Sequence, residues 1–166
     1  MVPLLDEFFA LLGIATEAQG GEVFHMAGDG MMAGFGVRDP SKHGAREALA
    51  AGRTMLRRFS SVATRWQQEL SIVAGIGVGL HLGEVALAMF GPPGKRTTTV
   101  VWDAAIVAAR LCSRARSGEV LCSNAVAAAL SADSTGGARR RAREPQPDWS
   151  SRGGASFHLH PDGGDP

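Results

Sequence analysis

One residue and two motifs in this sequence raise the question of chemistry. In "HMAGDGMMAG" a single carboxylate, Asp29, sits between two glycines in a tight turn, with a short apolar run on each side. A hairpin tip is a rigid mount. A Mg²⁺ or Mn²⁺ ion beside a nucleoside triphosphate is usually held by only one or two carboxylates, with phosphate oxygens completing its shell. Asp and Gly are also the favoured residues of tight turns, so on residue type alone Asp29 reads first as a turn former. "GIGVGLHLG" suggests a dinucleotide loop, but the G-x-G-x-x-G frame ends on Leu80 from Gly75 and on Leu82 from Gly77, inside a strand-like run. "GPPGKRT" suggests a phosphate loop, but Met89 stands where the frame before Lys95 needs glycine, so Gly91 to Lys95 reads as a surface turn. Cys112 and Cys122 fit no zinc spacing and read as reduced core thiols of a cytoplasmic protein.

The elements that must position these residues follow from periodicity. Leu4, Leu5, Phe8, Phe9, Leu11 and Leu12 give a helix with a wide apolar face, ended by Gly20-Gly21. Glu22 to Met26 and Met31 to Phe35 read as strands of a hairpin around the Gly-Asp-Gly turn. Pro40 and Ser41 open a long helix to about Glu69. Its inward stripe is Ala45, Ala48, Leu49, Met55, Leu56, Phe59, Val62, Ala63 and Trp66, and Arg53, Arg57, Arg58 and Arg65 lie on a solvated face. Leu70 to Leu82 and Thr97 to Trp102 read as strands, Asp103 to Arg116 as an alanine-rich helix, Glu119 to Ser123 as a strand and Asn124 to Leu130 as a short helix. After Ser131 the sequence turns small, polar and basic, with "ASFHLH" as one spare strand. Hairpins alternating with helices imply an α+β layer with helices on one face of an antiparallel or mixed sheet.

Composition narrows the function. The length of 166 residues suits one domain. A net charge of +1 argues against a general nucleic-acid binder, and no apolar run is long enough for a membrane span. The first residues lack the basic start of a signal peptide.

Four ordered stretches together resemble the class III adenylate/guanylate cyclase catalytic domain. "GGEVFHMAGDGMMAGFG" is similar to that family's GG turn, strand, GD hairpin and strand ending in FG. "GIGVGLHLGEVALAMFG" resembles its GIGxHxGxV strand, "TTTVVWDAAIVAARL" its TVxGDxVNxAxRL segment, and "SGEVLCSNAV" its G-x-[IV]-x-[IV]-S strand with the helix that follows. The resemblance runs from about Leu4 to Leu130. It implies a ferredoxin-like α+β cyclase fold, a mixed or antiparallel sheet with helices packed on it, active as a homodimer or as a heterodimer with another cyclase domain. It further implies ATP as substrate, cyclic AMP and pyrophosphate as products, and Mg²⁺ or Mn²⁺ as cofactor.

Carried over residue by residue, the resemblance makes Asp29 a metal ligand and Arg110 the guanidinium that stabilises the transition state. It also makes Thr99 a reader of the purine edge, and puts His25 where the family has its purine-reading lysine. Ile106 replaces the transition-state asparagine and Trp102 a turn glycine. The family's opening strand, with the second metal Asp, has no match, and its late basic residue has no firm match, with Arg139 to Arg143 the nearest stretch. The expected organisation is a cyclase homology domain over 1–130, a basic loop over 131–154 and a final strand and tail over 155–166. The place of the absent strand is expected to be supplied by sequence upstream of Met1 or filled by "ASFHLH". These departures imply weak or absent turnover. Two rival readings stay open: a non-catalytic, dimerising regulatory homologue, and a generic ferredoxin-like interaction module.

Overall fold

The computed structural model describes residues 2–37, 44–90, 92, 97–101, 103–134 and 151–160. The elements run α1 (Val2–Glu17), β1 (Glu22–Ala27), β2 (Gly30–Gly34), α2 (Ala45–Leu70), β3 (Gly75–Phe90), β4 (Thr97–Val101), α3 (Asp103–Cys112), β5 (Val120–Cys122), α4 (Asn124–Ser134) and β6 (Ser151–His160). The expected helix start at Pro40-Ser41, Trp102, and the Arg139–Arg143 stretch lie outside the described residues.

Helix α1 buries Phe8, Leu12, Ala15 and Thr16, one helical face, and the Thr16 hydroxyl donates back to the Leu12 carbonyl at 2.9 Å. Gly20, at φ 70°, closes it, and the Gly21 N–H reaches the Thr16 carbonyl. Helix α2 buries Ala45, Ala48, Ala51, Gly52, Met55, Phe59 and Trp66. The expected Leu49, Leu56, Val62 and Ala63 are half-buried against the same core. Ser71, left-handed at φ 57°, ends α2, so β3 begins at Gly75 rather than at Leu70. Phe8, Phe59 and Trp66 pack edge to face, with ring centroids 5.6 Å apart from Phe8 to Phe59 and from Phe59 to Trp66.

The sheet runs in the order β1-β2-β6-β3-β4, with β5 parallel to β3. Strand β6 is antiparallel to both β2 and β3 and fills the middle of the sheet. "ASFHLH" thus takes up the central place, and the strand starts at Ser151, four residues before the expected bound. A central strand pairs its backbone on both edges, which satisfies donors and acceptors that would otherwise be stranded.

Helices cover both faces, not one. Ile76, Val78 and Leu80 of β3 join Met31, Ala33 and Phe35 in the core under α1, α2 and α4. The alternate residues Gly75, Gly77 and Gly79 meet α3 and the turn after it. The cause is the period of two along a strand: bulky residues point one way and glycines the other, so α3 can seat only on the bare face.

Candidate active site

The hairpin around Asp29 is built from a two-residue turn. Ala27 pairs with Gly30, Gly28 has φ 60°, and Asp29 takes the second central position, the pattern of a II′ turn. The turn therefore fixes where the carboxylate projects from the sheet. Registers then run across four strands. Ala27, Gly30, His158 and Gly77 form one row, and His25, Met32, Ser156 and Gly79 the next but one. Asp29 thus projects at the end of the sheet where β3 starts, and His25 stands two rows in. A bulge between Val23 and His25 puts Phe24 beside Gly34. His25, cross-strand from Met32, faces the α3 side and is exposed.

Helix α3 lies on that same side. Ala104, Ala108 and Cys112 are buried one turn apart, and Ala104 packs with Val37 and Phe24 of the hairpin region. The face they leave outward carries Ile106, 51% exposed, and Arg110, also exposed and one turn further on. The fold thus brings His25 and Arg110 to one face. Both side chains are exposed, and no hydrogen bond of the Arg110 guanidinium or the His25 imidazole occurs among the described residues. Thr99 stands in β4 opposite Ala88 on the outer half of β3, and β4 comes close to β1, the strand of His25. The Thr99 side chain lies outside the described residues.

The donor set around Asp29 can be tested against a metal. No group of three or more metal-ligating side chains occurs among the described residues. One carboxylate on a fixed turn fits an ion that arrives with phosphate oxygens and does not fit a resident, protein-caged metal.

His81 was not singled out by its residue type, yet it interrupts the glycine run Gly75, Gly77, Gly79, Gly83 of β3. Its Nδ1 is buried with no hydrogen-bond partner among the described residues, and burial pulls the imidazole below its ordinary pKa. The sequence signal was one polar residue within a strict glycine alternation. An open groove of about 260 Å³ between α2 and the start of β3 includes Phe59, Thr64, Gln67 and Ser117, and none of the candidate residues.

The family model for the adenylate and guanylate cyclase catalytic domain matches residues 1–146. Proteins of Mycobacterium tuberculosis and Mycobacterium bovis are 31% identical to this chain over 117 residues, 70% of it. The chain spans about a fifth of the length of these relatives (20%). The guanylyl cyclase Cya2 superposes with a TM-score of 0.72 at 22% identity, covering 93% of this chain and 79% of that one. The adenylyl cyclase CyaB of P. aeruginosa gives 0.63 at 21% identity, covering 94% and 81%. A bacterial light-regulated adenylyl cyclase gives 0.55 at 24%, covering 78% and 67%. With the hairpin aspartate, the glycine-faced strand and the helix bearing Arg110 in one architecture, and the family model spanning most of the sequence, this chain belongs to the adenylate and guanylate cyclase catalytic-domain family.

Proposed function

We propose that this domain binds ATP on the face shared by β1 and α3 and converts it, at a reduced rate, to cyclic AMP and pyrophosphate. In that reaction the ribose 3′-oxygen bonds to the α-phosphorus, the bond from that phosphorus to the bridging oxygen of pyrophosphate breaks, and the hydroxyl proton leaves to solvent. The observation that carries the reading is the outward face of α3, which offers the exposed Arg110 guanidinium on the side of the sheet that His25 also faces. A guanidinium forks onto phosphate oxygens and stays charged throughout. The His25 imidazole can exchange a hydrogen bond with a purine ring nitrogen, and the Thr99 hydroxyl can donate to or accept from the purine edge. Asp29 would hold one Mg²⁺ or Mn²⁺ ion, which when bound polarises the phosphates. A second cyclase domain, identical or not, completes the site.

Ile106 favours a second reading. An apolar side chain 51% exposed on the catalytic face, where a hydrogen bond is needed, suits a domain that pairs and binds nucleotide without turning it over. The test is direct. The purified chain is incubated with ATP or GTP and Mn²⁺, and cyclic nucleotides and nucleotide binding are measured. Slow cyclic AMP formation abolished by Arg110→Ala supports the first reading. ATP binding without product supports the second. No nucleotide binding at millimolar concentration sinks both.

A further inference from the structure

Strand β3 places Gly75, Gly77, Gly79, His81 and Gly83 on one face. A Cβ at Gly77 would stand 2.7 Å from the Ala115 carbonyl oxygen. At Gly79 it would collide with the Ala108 carbonyl oxygen and the Cys112 backbone nitrogen, and lie 2.9 Å from the Cys112 Cα. At Gly83 it would stand 2.8 Å from the Ala104 Cβ and 3.3 Å from the His81 Nε2. Helix α3 therefore rests on the strand with backbone against backbone at its C-terminal end and methyl against backbone at its start. The one side chain between these glycines is His81, whose buried Nδ1 has no hydrogen-bond partner among the described residues. The His81 ring lies beside Gly83, 3.3 Å from where a Cβ there would stand.

Such seating removes the freedom a helix usually has. Where side chains separate helix from sheet, rotamer changes absorb a small roll or lift. Backbone contact leaves no layer to adjust, because atoms already touching can move only as a body. The roll of α3 decides which residues face outward, and that face is Ile106 and Arg110.

We infer that Gly79 and Gly83 are positioning residues for Arg110: they set the height and roll of α3, and so the point at which the guanidinium meets the nucleotide phosphates. The inference rests on the reading of Arg110 as a phosphate-binding group. Gly79 acts through backbone atoms, so nothing in α3 can be trimmed to accommodate a side chain there. Gly83 acts through the Ala104 methyl, which can be removed. The two positions therefore make different, linked predictions.

The experiment measures the affinity of the full 166-residue chain for α,β-methylene-ATP, which cannot be cyclised, with Mn²⁺ by calorimetry, alongside urea unfolding of every variant. Arg110→Ala should weaken binding on the order of tenfold or more, the value of a charge-assisted hydrogen bond. Gly83→Ala should weaken binding several-fold while leaving the chain folded, Ala104→Gly in the same chain should restore it, and Gly83→Ala should add no further loss to Arg110→Ala. Gly79→Ala, where it folds, should weaken binding without rescue. Where Gly79→Ala does not fold, the Gly83–Ala104 pair carries the test. The inference is overturned if folded Gly83→Ala binds like the parent, if Ala104→Gly does not rescue it, or if its loss is undiminished in the Arg110→Ala background. If Arg110→Ala binds as tightly as the parent, the phosphate reading of Arg110 itself is wrong and the positioning role falls with it.

Discussion

The Cys112 thiol donates to the Gly77 carbonyl oxygen across 3.3 Å, tying the last turn of α3 to the backbone of β3. Cys112 is fully buried at this contact. Cys112→Val adds volume where strand and helix already touch, and should cost about 1–3 kcal/mol of stability. Cys112→Ala leaves the carbonyl without this donor and should cost about 1 kcal/mol. Urea denaturation with a constant slope would check both, and a Val variant as stable as the parent would mean the seating is looser than described.

The two thiols should separate by chemistry. Cys112 is buried and Cys122 exposed, so native labelling should consume one thiol and unfolding should release the second. Cys122 is exposed as a residue, but partial desolvation of its thiol raises the pKa above the usual 9.0, with Arg53 offsetting part of the shift. The thiolate is the nucleophile, so alkylation of Cys122 should be slow near neutrality and should rise at a higher pH than for a free thiol. Stopped-time labelling across pH reads this, and rapid labelling of both thiols at neutral pH would contradict it.

On the surface between α1 and α2, Glu7 accepts from the Arg65 guanidinium and from the Trp66 indole, the latter at 3.1 Å. These hydrogen bonds, Arg65 first, hold the Glu7 carboxyl below its ordinary value of 4.5. A lowered carboxyl contributes stability that is fully present above the unfolded value and is lost as pH falls through the folded value. Glu7→Gln should therefore be slightly less stable than the parent at neutral pH, and the difference should shrink on acidification below about 4.5. The group is exposed, so the effect is small. Unfolding midpoints of the two proteins compared from pH 7 to pH 3 test it. A gap that widens in acid would reverse the sign.

Phe59 is 2% exposed and lies edge-on to both Phe8 and Trp66. Phe59→Ala should open a cavity at the junction of α1 and α2 and cost about 3–5 kcal/mol. Thermal unfolding would show the loss as a markedly lower midpoint. A loss under 1 kcal/mol would mean the cluster collapses around the gap.

Ile106 is exposed one turn before Arg110, so replacing it should leave stability within about 0.5 kcal/mol. Ile106→Asn supplies a hydrogen-bond donor on the proposed catalytic face. It should raise cyclic AMP formation by about 10²-fold, the typical value of one transition-state donor. Product assays with Mn²⁺-ATP measure it, and an Asn variant no faster than the parent would favour the non-catalytic reading.

Much of this architecture was legible in the order of residues. The Gly-Asp-Gly turn fixed a hairpin because Gly28 supplies the positive φ that the turn requires, and the apolar stripe of α2 matched its buried face because a helix repeats its facing every three to four residues. The resemblance carried by four short motifs identified the family. Helix lengths were less well determined. Helix α3 ends at Cys112, four residues before Arg116, and α4 runs on to Ser134. Ends depend on caps and fraying that periodicity does not encode. Tertiary structure alone decided two further points. The sequence offered "ASFHLH" as one of two ways to fill the place of the absent strand, and only pairing on both edges made β6 the middle of the sheet. The glycines of β3 resembled a failed nucleotide loop. Their purpose became visible only when α3 was seen lying on them, because what a missing Cβ makes room for is a neighbour distant in sequence.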